Sequence, residues 1–152
     1  MIAKTKQGNK LLEYVLVAIQ FATILLICLT TDWSSLPLLA VVVAAIFIGL
    51  GCYALLVMKF GNFHILPHPV KNSEMVIHGP YRYIRHPMYT SVLLTMLALI
   101  VGDFSAARLA MWLVLAADLI VKLNYEEKLL VIRFPAYKTY RLKTKRLIPF
   151  LY

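Results

Sequence analysis

Acidic residues are scarce in this 152-residue chain: 7 Asp and Glu stand against 16 Lys and Arg, a formal charge of +9. Charge of either sign is scarce too, at 15%. A soluble domain carries about 25%, so the shortfall argues against a soluble fold. The surplus cations flank apolar runs and form no nucleic-acid-binding motif, which argues against a nucleic-acid partner. Cysteine occurs only twice, as Cys28 and Cys52, each in the middle of an apolar run with no ligand-type neighbours. Neither a disulfide nor a metal site is supported, and both read as small apolar filler. No repeat, low-complexity tract, cleavable presequence or nucleophilic triad is visible.

Long apolar runs are what the chain has instead. Hydrophobic residues make up 61% and the mean hydropathy is +0.76. Leu12 to Thr31 and Pro37 to Met58 each reach the length of about 20 residues that crosses a bilayer. Met88 to Val101 is shorter, and Phe104 to Leu123 is full length although it carries Arg108 and Asp118. Apolar character recurs to residue 123, so a signal peptide before a soluble domain does not explain it. The expected fold is an all-α integral membrane protein of four membrane helices, the last two forming a helical hairpin. A cytoplasmic connection and a cytoplasmic tail complete it. Lysines 4, 6 and 10 precede the first run. Lys59, Lys71, Arg82 and Arg85 lie between the second and third, and seven more cations follow Glu127. The two opposite connections hold only Asp32 and Asp103. Positive charge stays on the cytoplasmic side, so both termini and the middle connection are expected in the cytoplasm, beside anionic headgroups.

The first two helices read as scaffold. Gly49, Gly51 and nearby alanines suit close packing in lipid, and Trp33 sits where aromatic side chains favour the interface. Residues 59 to 87 hold all four histidines, His64, His68, His78 and His86. Their spacing follows no ligand pattern on one helix and no cysteine joins them, so no metal is expected. The fourth helix is expected to run past the membrane through Asn124 and Glu126 and to break at Pro135. Beyond it, a basic segment interleaved with aromatics suits a membrane surface.

The polar part of the chain is concentrated at residues 79 to 89, G-P-Y-R-Y-I-R-H-P-M-Y. Pro80 and Pro87 limit helical continuity on either side, so the chain turns here before the third helix. Tyr81, Arg85, His86 and Tyr89 then gather at the mouth of the hairpin. On the fourth helix Asp118, Lys122 and Glu126 recur every four residues and share one face, with Glu127 about 100° around. Ionisable groups at a membrane margin mark a functional cavity or snorkel to the interface. A cleft with cations and hydroxyls on one wall and carboxylates on the other suits a zwitterionic ligand. Headgroup anchoring alone accounts for a basic mouth and leaves the acidic pair unexplained.

The G-P-Y-R-Y-I-R-H-P-M-Y run, the later E-E-K-L-L-V-I-R-F-P-A-Y-K-T-Y and the closing R-L-I-P resemble the isoprenylcysteine carboxyl methyltransferase and phospholipid methyltransferase superfamily. The likeness covers roughly residues 60 to 150. It implies a cofactor-binding and catalytic half over 59–152, which joins the two-helix membrane scaffold read over 1–58 in one membrane domain. It implies S-adenosylmethionine as cofactor, held by Met75, Val76, Tyr81, His86, Pro87, Tyr89 and Glu126. Arg85 and Glu127 are the expected catalytic residues, and Lys122 stands where the prenylcysteine enzymes carry a substrate-facing arginine. Lysine lacks the bidentate fork that grips a carboxylate. Ser91 and Pro135 replace two common glycines. A sulfonium methyl is already activated, so the protein's task is alignment of donor and acceptor with water excluded.

Three functions follow as expectations. The first is carboxyl methylation of a lipophilic or prenylated acceptor, most like protein-S-isoprenylcysteine O-methyltransferase; the second is N-methylation of a phospholipid amine. The third is a non-catalytic membrane protein that keeps the cofactor cleft. Membrane lipids are the expected partners and the cytoplasmic membrane the expected location.

Overall fold

The computed structural model describes residues 10–58 and 75–148. The lysines at 4 and 6, Lys59, Lys71, His64 and His68 lie outside the described residues. Among the described residues there are five α-helices, α1 Lys10–Thr30, α2 Leu38–Met58, α3 Pro87–Gly102, α4 Ala106–Arg133 and α5 Tyr137–Lys143, and one 3-10 turn at Gly79–Arg82. No strand forms among the described residues; one isolated bridge joins Ile84 to Lys145.

Two helices, α1 and α2, are long and apolar enough to cross a membrane. Their large side chains point outward: Leu25, Leu29, Leu38, Leu39 and Leu56 are all more than half exposed. The interior holds Glu13, Arg108, Asp118 and Lys122 together with the aliphatic core. A soluble protein buries apolar groups and exposes charge; the reversal here is that of a lipid-facing surface around a polar interior. α3 has 16 residues, and the first five turns of α4 are interrupted by Arg108, Asp118 and Lys122.

Small residues set the packing. A Cβ on Gly51 would stand 2.5 Å from Ser91 Oγ, and one on Gly102 would stand 2.6 Å from the Ala40 Cβ. α2 and α3 therefore meet at near backbone distance, and Ser91 Oγ donates to the Phe47 carbonyl at 2.6 Å. α3 makes its most extensive contact with α2, and α4 makes its own with α1; the α3–α4 contact is the smaller one. Leu93, Leu99, Ile100, Leu115, Leu119 and Leu123 fill the centre, joined by Ile27.

At one end of the bundle Arg108 closes the α3–α4 connection. Its guanidinium donates to the Thr30 carbonyl at 2.6 Å, donates to the Asp103 carbonyl and pairs with the Asp103 carboxylate at 2.6 Å. That carboxylate also accepts the Asp32 amide. At the other end α4 continues ten residues past Leu123 to Arg133, about 15 Å at 1.5 Å per residue. The helix stops one residue before Phe134, whose extended backbone leads into Pro135, since proline disfavours helix at the residue before it.

Candidate active site

Gly79 opens the site. Its φ of 59° lies in the left-handed region open to glycine, and a Cβ there would meet Val57 Cγ2 at 2.9 Å. Pro80 then starts the 3-10 turn. Pro87 occupies the first turn of α3 directly after His86, where its fixed φ and missing N–H cost nothing. The prolines thus confine Tyr81 to His86 to a bend that starts as a 3-10 turn and never becomes α-helix, just before α3.

The chain beyond α5 holds that bend. Arg85 N donates to the Lys145 carbonyl at 2.8 Å, His86 N to the Arg146 carbonyl at 3.0 Å, and Lys145 N to the Tyr83 carbonyl at 3.1 Å. Thr90 Oγ1 donates to the Leu147 carbonyl at 2.6 Å, and the Tyr140 hydroxyl donates to the Tyr81 carbonyl. Within the bend Tyr83 N and Ile84 N find an internal acceptor, the Pro80 carbonyl at 3.2 Å, and the remaining buried backbone groups need such outside partners.

The two adjacent carboxylates of α4 face different surroundings. Glu127 is buried, 3% exposed, and accepts Arg85 Nε at 2.6 Å. His86 Nε2 lies 3.4 Å from the same oxygen, and Arg146 and Arg141 approach the other oxygen at 3.5 and 3.8 Å. Arg85 also donates to the Thr144 and Arg141 carbonyls. Burial alone raises the Glu127 pKa, but His86 and Arg85 outweigh it and hold the carboxyl down at about 2. For His86, burial works against the charged ring; Glu126 and Glu127 overcome that and raise its pKa.

Glu126 instead opens into a cleft, with its side chain 23% exposed. It accepts the Tyr89 hydroxyl at 3.0 Å and lies 3.5 Å from His86 Nδ1. The His86 and Tyr89 rings stack, centroids 5.4 Å apart and 4° from parallel. Lys122 Nζ sits 5.6 Å over the Tyr89 ring and donates to Gln20 Oε1 on α1 at 2.7 Å. Burial pushes the Tyr81 hydroxyl's pKa far up, with Glu126 adding to it, so that phenol stays a neutral donor.

Of the residues expected from sequence, Tyr81, Arg85, His86, Pro87, Tyr89, Lys122 and Glu126 line one cleft. Glu127 stands behind it, and Met75 and Val76, both half-buried, are not among the lining residues. Gln20 and Phe21 of α1 and Met58 of α2 also line the cleft, although both helices read as scaffold. Their one signal in the sequence is Gln20, a lone amide in an apolar run. His78 is exposed and His86 buried, and among the described residues no three metal-ligating side chains gather.

A comparison with protein-family models matches residues 38–136 to phospholipid methyltransferase. The chain belongs to that family. No curated protein matches it. Family membership makes the protein a methyltransferase and, with the apolar α1 and α2, an integral membrane one. The matched segment covers α2 to α4, and so supplies Tyr81, Arg85, His86, Tyr89, Lys122 and both glutamates. Two contributors fall outside it: α1 with Gln20, and the strap from Arg141 to Leu147 that carries the bend. The site of this family member is therefore assembled from the matched helices and from chain on both sides of them.

Proposed function

We propose that this phospholipid methyltransferase family member transfers a methyl group from S-adenosylmethionine to a lipophilic acceptor at the cytoplasmic face of the membrane. In this reading all four long helices cross the bilayer, α3 and α4 as a hairpin, and both termini and the cleft face the cytoplasm.

One observation carries the proposal: an accessible carboxylate, Glu126, stands beside the Tyr89 and His86 rings in a cleft where Arg85 is already engaged by Glu127. That lining fits the proposed cofactor, since a carboxylate suits its ammonium and π faces attract its sulfonium. Tyr81, His86, Pro87 and Tyr89 form the remaining wall, with Met75 and Val76 leading into it. When bound, the sulfonium supplies an activated methyl group. The chain's part is to orient and to exclude water. Tyr89 fixes Glu126 through its hydroxyl. His86 stacks on Tyr89 and lies between the two carboxylates. Glu127 is assigned to positioning: it locks Arg85, whose Nε donates to Glu127 and whose Nη1 donates to strap carbonyls, so the pair holds the bend in shape.

For the acceptor, the family's description favours a phospholipid amine, and the lysine at position 122 agrees with it. A point-charge ammonium is a competent partner for a phosphodiester oxygen, although it lacks the fork with which arginine grips a carboxylate or a phosphate. Carboxyl methylation of a prenylated cysteine is the second reading, supported by the R-H-P and E-E likeness. Purified protein in lipid nanodiscs, given methyl-labelled S-adenosylmethionine, should label phosphatidylethanolamine. Label on an S-prenylated cysteine instead would establish the second reading. Label on neither, with cofactor bound, would leave a cofactor-binding membrane protein without this chemistry.

A further inference from the structure

We infer that Gln20 on α1 is a specificity-determining residue: it positions Lys122 to receive an anionic oxygen of the acceptor, and Phe21 beside it forms the lipid-side doorway. The inference rests on the function proposed above and deepens it.

Lys122 is 3% exposed, deep for an ammonium. It has three N–H donors. Gln20 Oε1 takes one at 2.7 Å, and the Tyr89 ring covers another side at 5.6 Å. Asp118 and Glu126, one turn away on either side, act on it electrostatically; neither is hydrogen-bonded to it among the described residues. Burying an ammonium is costly unless its donors are met. Gln20 is neutral, so it orients the ammonium without neutralising it, and the two carboxylates act on it only at a distance. Lys122 therefore lines the cleft with donors that Gln20 does not occupy.

The direction of approach follows from α1. Gln20 and Phe21 both line the cleft, while Phe21 is 53% exposed on the outer, lipid-facing surface of the same helix. The cleft thus reaches the hydrocarbon boundary at α1, and a molecule with an acyl or prenyl tail can lie there with its polar end at Lys122. The ligand chemistry is an anionic oxygen at or next to the methyl-accepting atom, a phosphodiester or a carboxylate. The family match begins at residue 38, so this determinant sits in the part of the chain that the family pattern does not cover.

Gln20→Glu gives Lys122 a built-in carboxylate that competes with the acceptor. Two readouts are needed: S-adenosylhomocysteine affinity by calorimetry, and acceptor binding by native mass spectrometry with phosphatidylethanolamine or with an S-prenylated cysteine. Where turnover is detected, KM and kcat are read separately. The expected result is a tenfold or larger weakening of acceptor binding, seen in KM rather than kcat. S-adenosylhomocysteine affinity should hold within twofold. In a Lys122→Gln background the Gln20→Glu change should add nothing, because its effect runs through Lys122. The acceptor that loses affinity identifies the source of the anion. Equal weakening of S-adenosylhomocysteine, or additive effects of the two substitutions, would reduce Gln20 to a packing residue. Unchanged acceptor binding in Gln20→Glu would overturn the inference, and it would do so whether or not methyl transfer is seen.

Discussion

The Tyr89 hydroxyl donates to Glu126 at 3.0 Å while the Tyr89 ring stacks on His86, 4° from parallel. One side chain thus fixes the accessible carboxylate with its polar end and the histidine with its face. Removing the hydroxyl separates the two roles. Tyr89→Phe should keep the stack and lose the bond, which for a charged acceptor contributes about 1.5–3 kcal/mol. S-Adenosylhomocysteine affinity should fall roughly tenfold, and the melting temperature by several degrees in step with the lost bond. An unchanged affinity would mean that Glu126 needs no such fixing.

Glu127 should weigh mainly on stability. It is buried against Arg85, and breaking one partner of a buried pair costs about 3–5 kcal/mol. Glu127→Gln should therefore lower the melting temperature of the detergent-purified protein by many degrees. Arg85→Lys should do nearly the same, since lysine cannot reach Glu127 and the strap carbonyls together. Full thermal stability in either variant would contradict a positioning role.

The same cluster sets a pH window. The Glu127 pKa is depressed to about 2, so its contribution is present above the ordinary glutamate value and is lost as pH falls from there toward 2. The His86 pKa is raised, so its contribution is full below the ordinary histidine value and is lost as pH rises through the raised one. Melting temperature should peak between these limits. His86→Gln should flatten the alkaline side and Glu127→Gln the acid side. A profile with the same shape in all three proteins would place the titrating groups elsewhere.

Packing of α2 on α3 offers a test away from the cleft. Gly51→Ala would put a Cβ 2.5 Å from Ser91 Oγ. Overpacking of this kind costs about 1–3 kcal/mol. Gly51→Ala should lower the melting temperature, and adding Ser91→Gly should recover part of the loss by removing the obstructing hydroxyl. Additive losses in the double variant would contradict the close approach.

Most of the helical frame was legible in the apolar runs, because their lengths and the turn residues between them leave little choice. The runs from Leu12, Pro37 and Met88 became α1, α2 and α3 with boundaries shifted by one or two residues. The fourth helix does run past Leu123, and it ends at Arg133, two residues before the Pro135 that its sequence marks as the break. The cleft was legible in part: four-residue spacing put Lys122 and Glu126 on one face, and two prolines marked the bend. What sequence could not reveal depends on long-range contacts. The strap's main-chain bonds to Arg85 and His86 carry no side-chain pattern. The different fates of Glu126 and Glu127 arise because the roughly 100° between neighbours on a helix points one into the cleft and the other at Arg85 and the strap, and the spacing does not say which faces which. Gln20 reaches the cleft only because α1 packs on α4, a pairing that no local periodicity encodes.

The central claim is that the cleft around Glu126 binds the methyl donor. Calorimetric titration of the full chain in nanodiscs with S-adenosylhomocysteine tests it most directly, comparing wild type with Glu126→Ala. The account predicts saturable one-to-one binding in the wild type and at least a tenfold loss in Glu126→Ala, with the melting temperature of the variant retained. No binding at millimolar ligand, or equal binding by the folded Glu126→Ala protein, would contradict it.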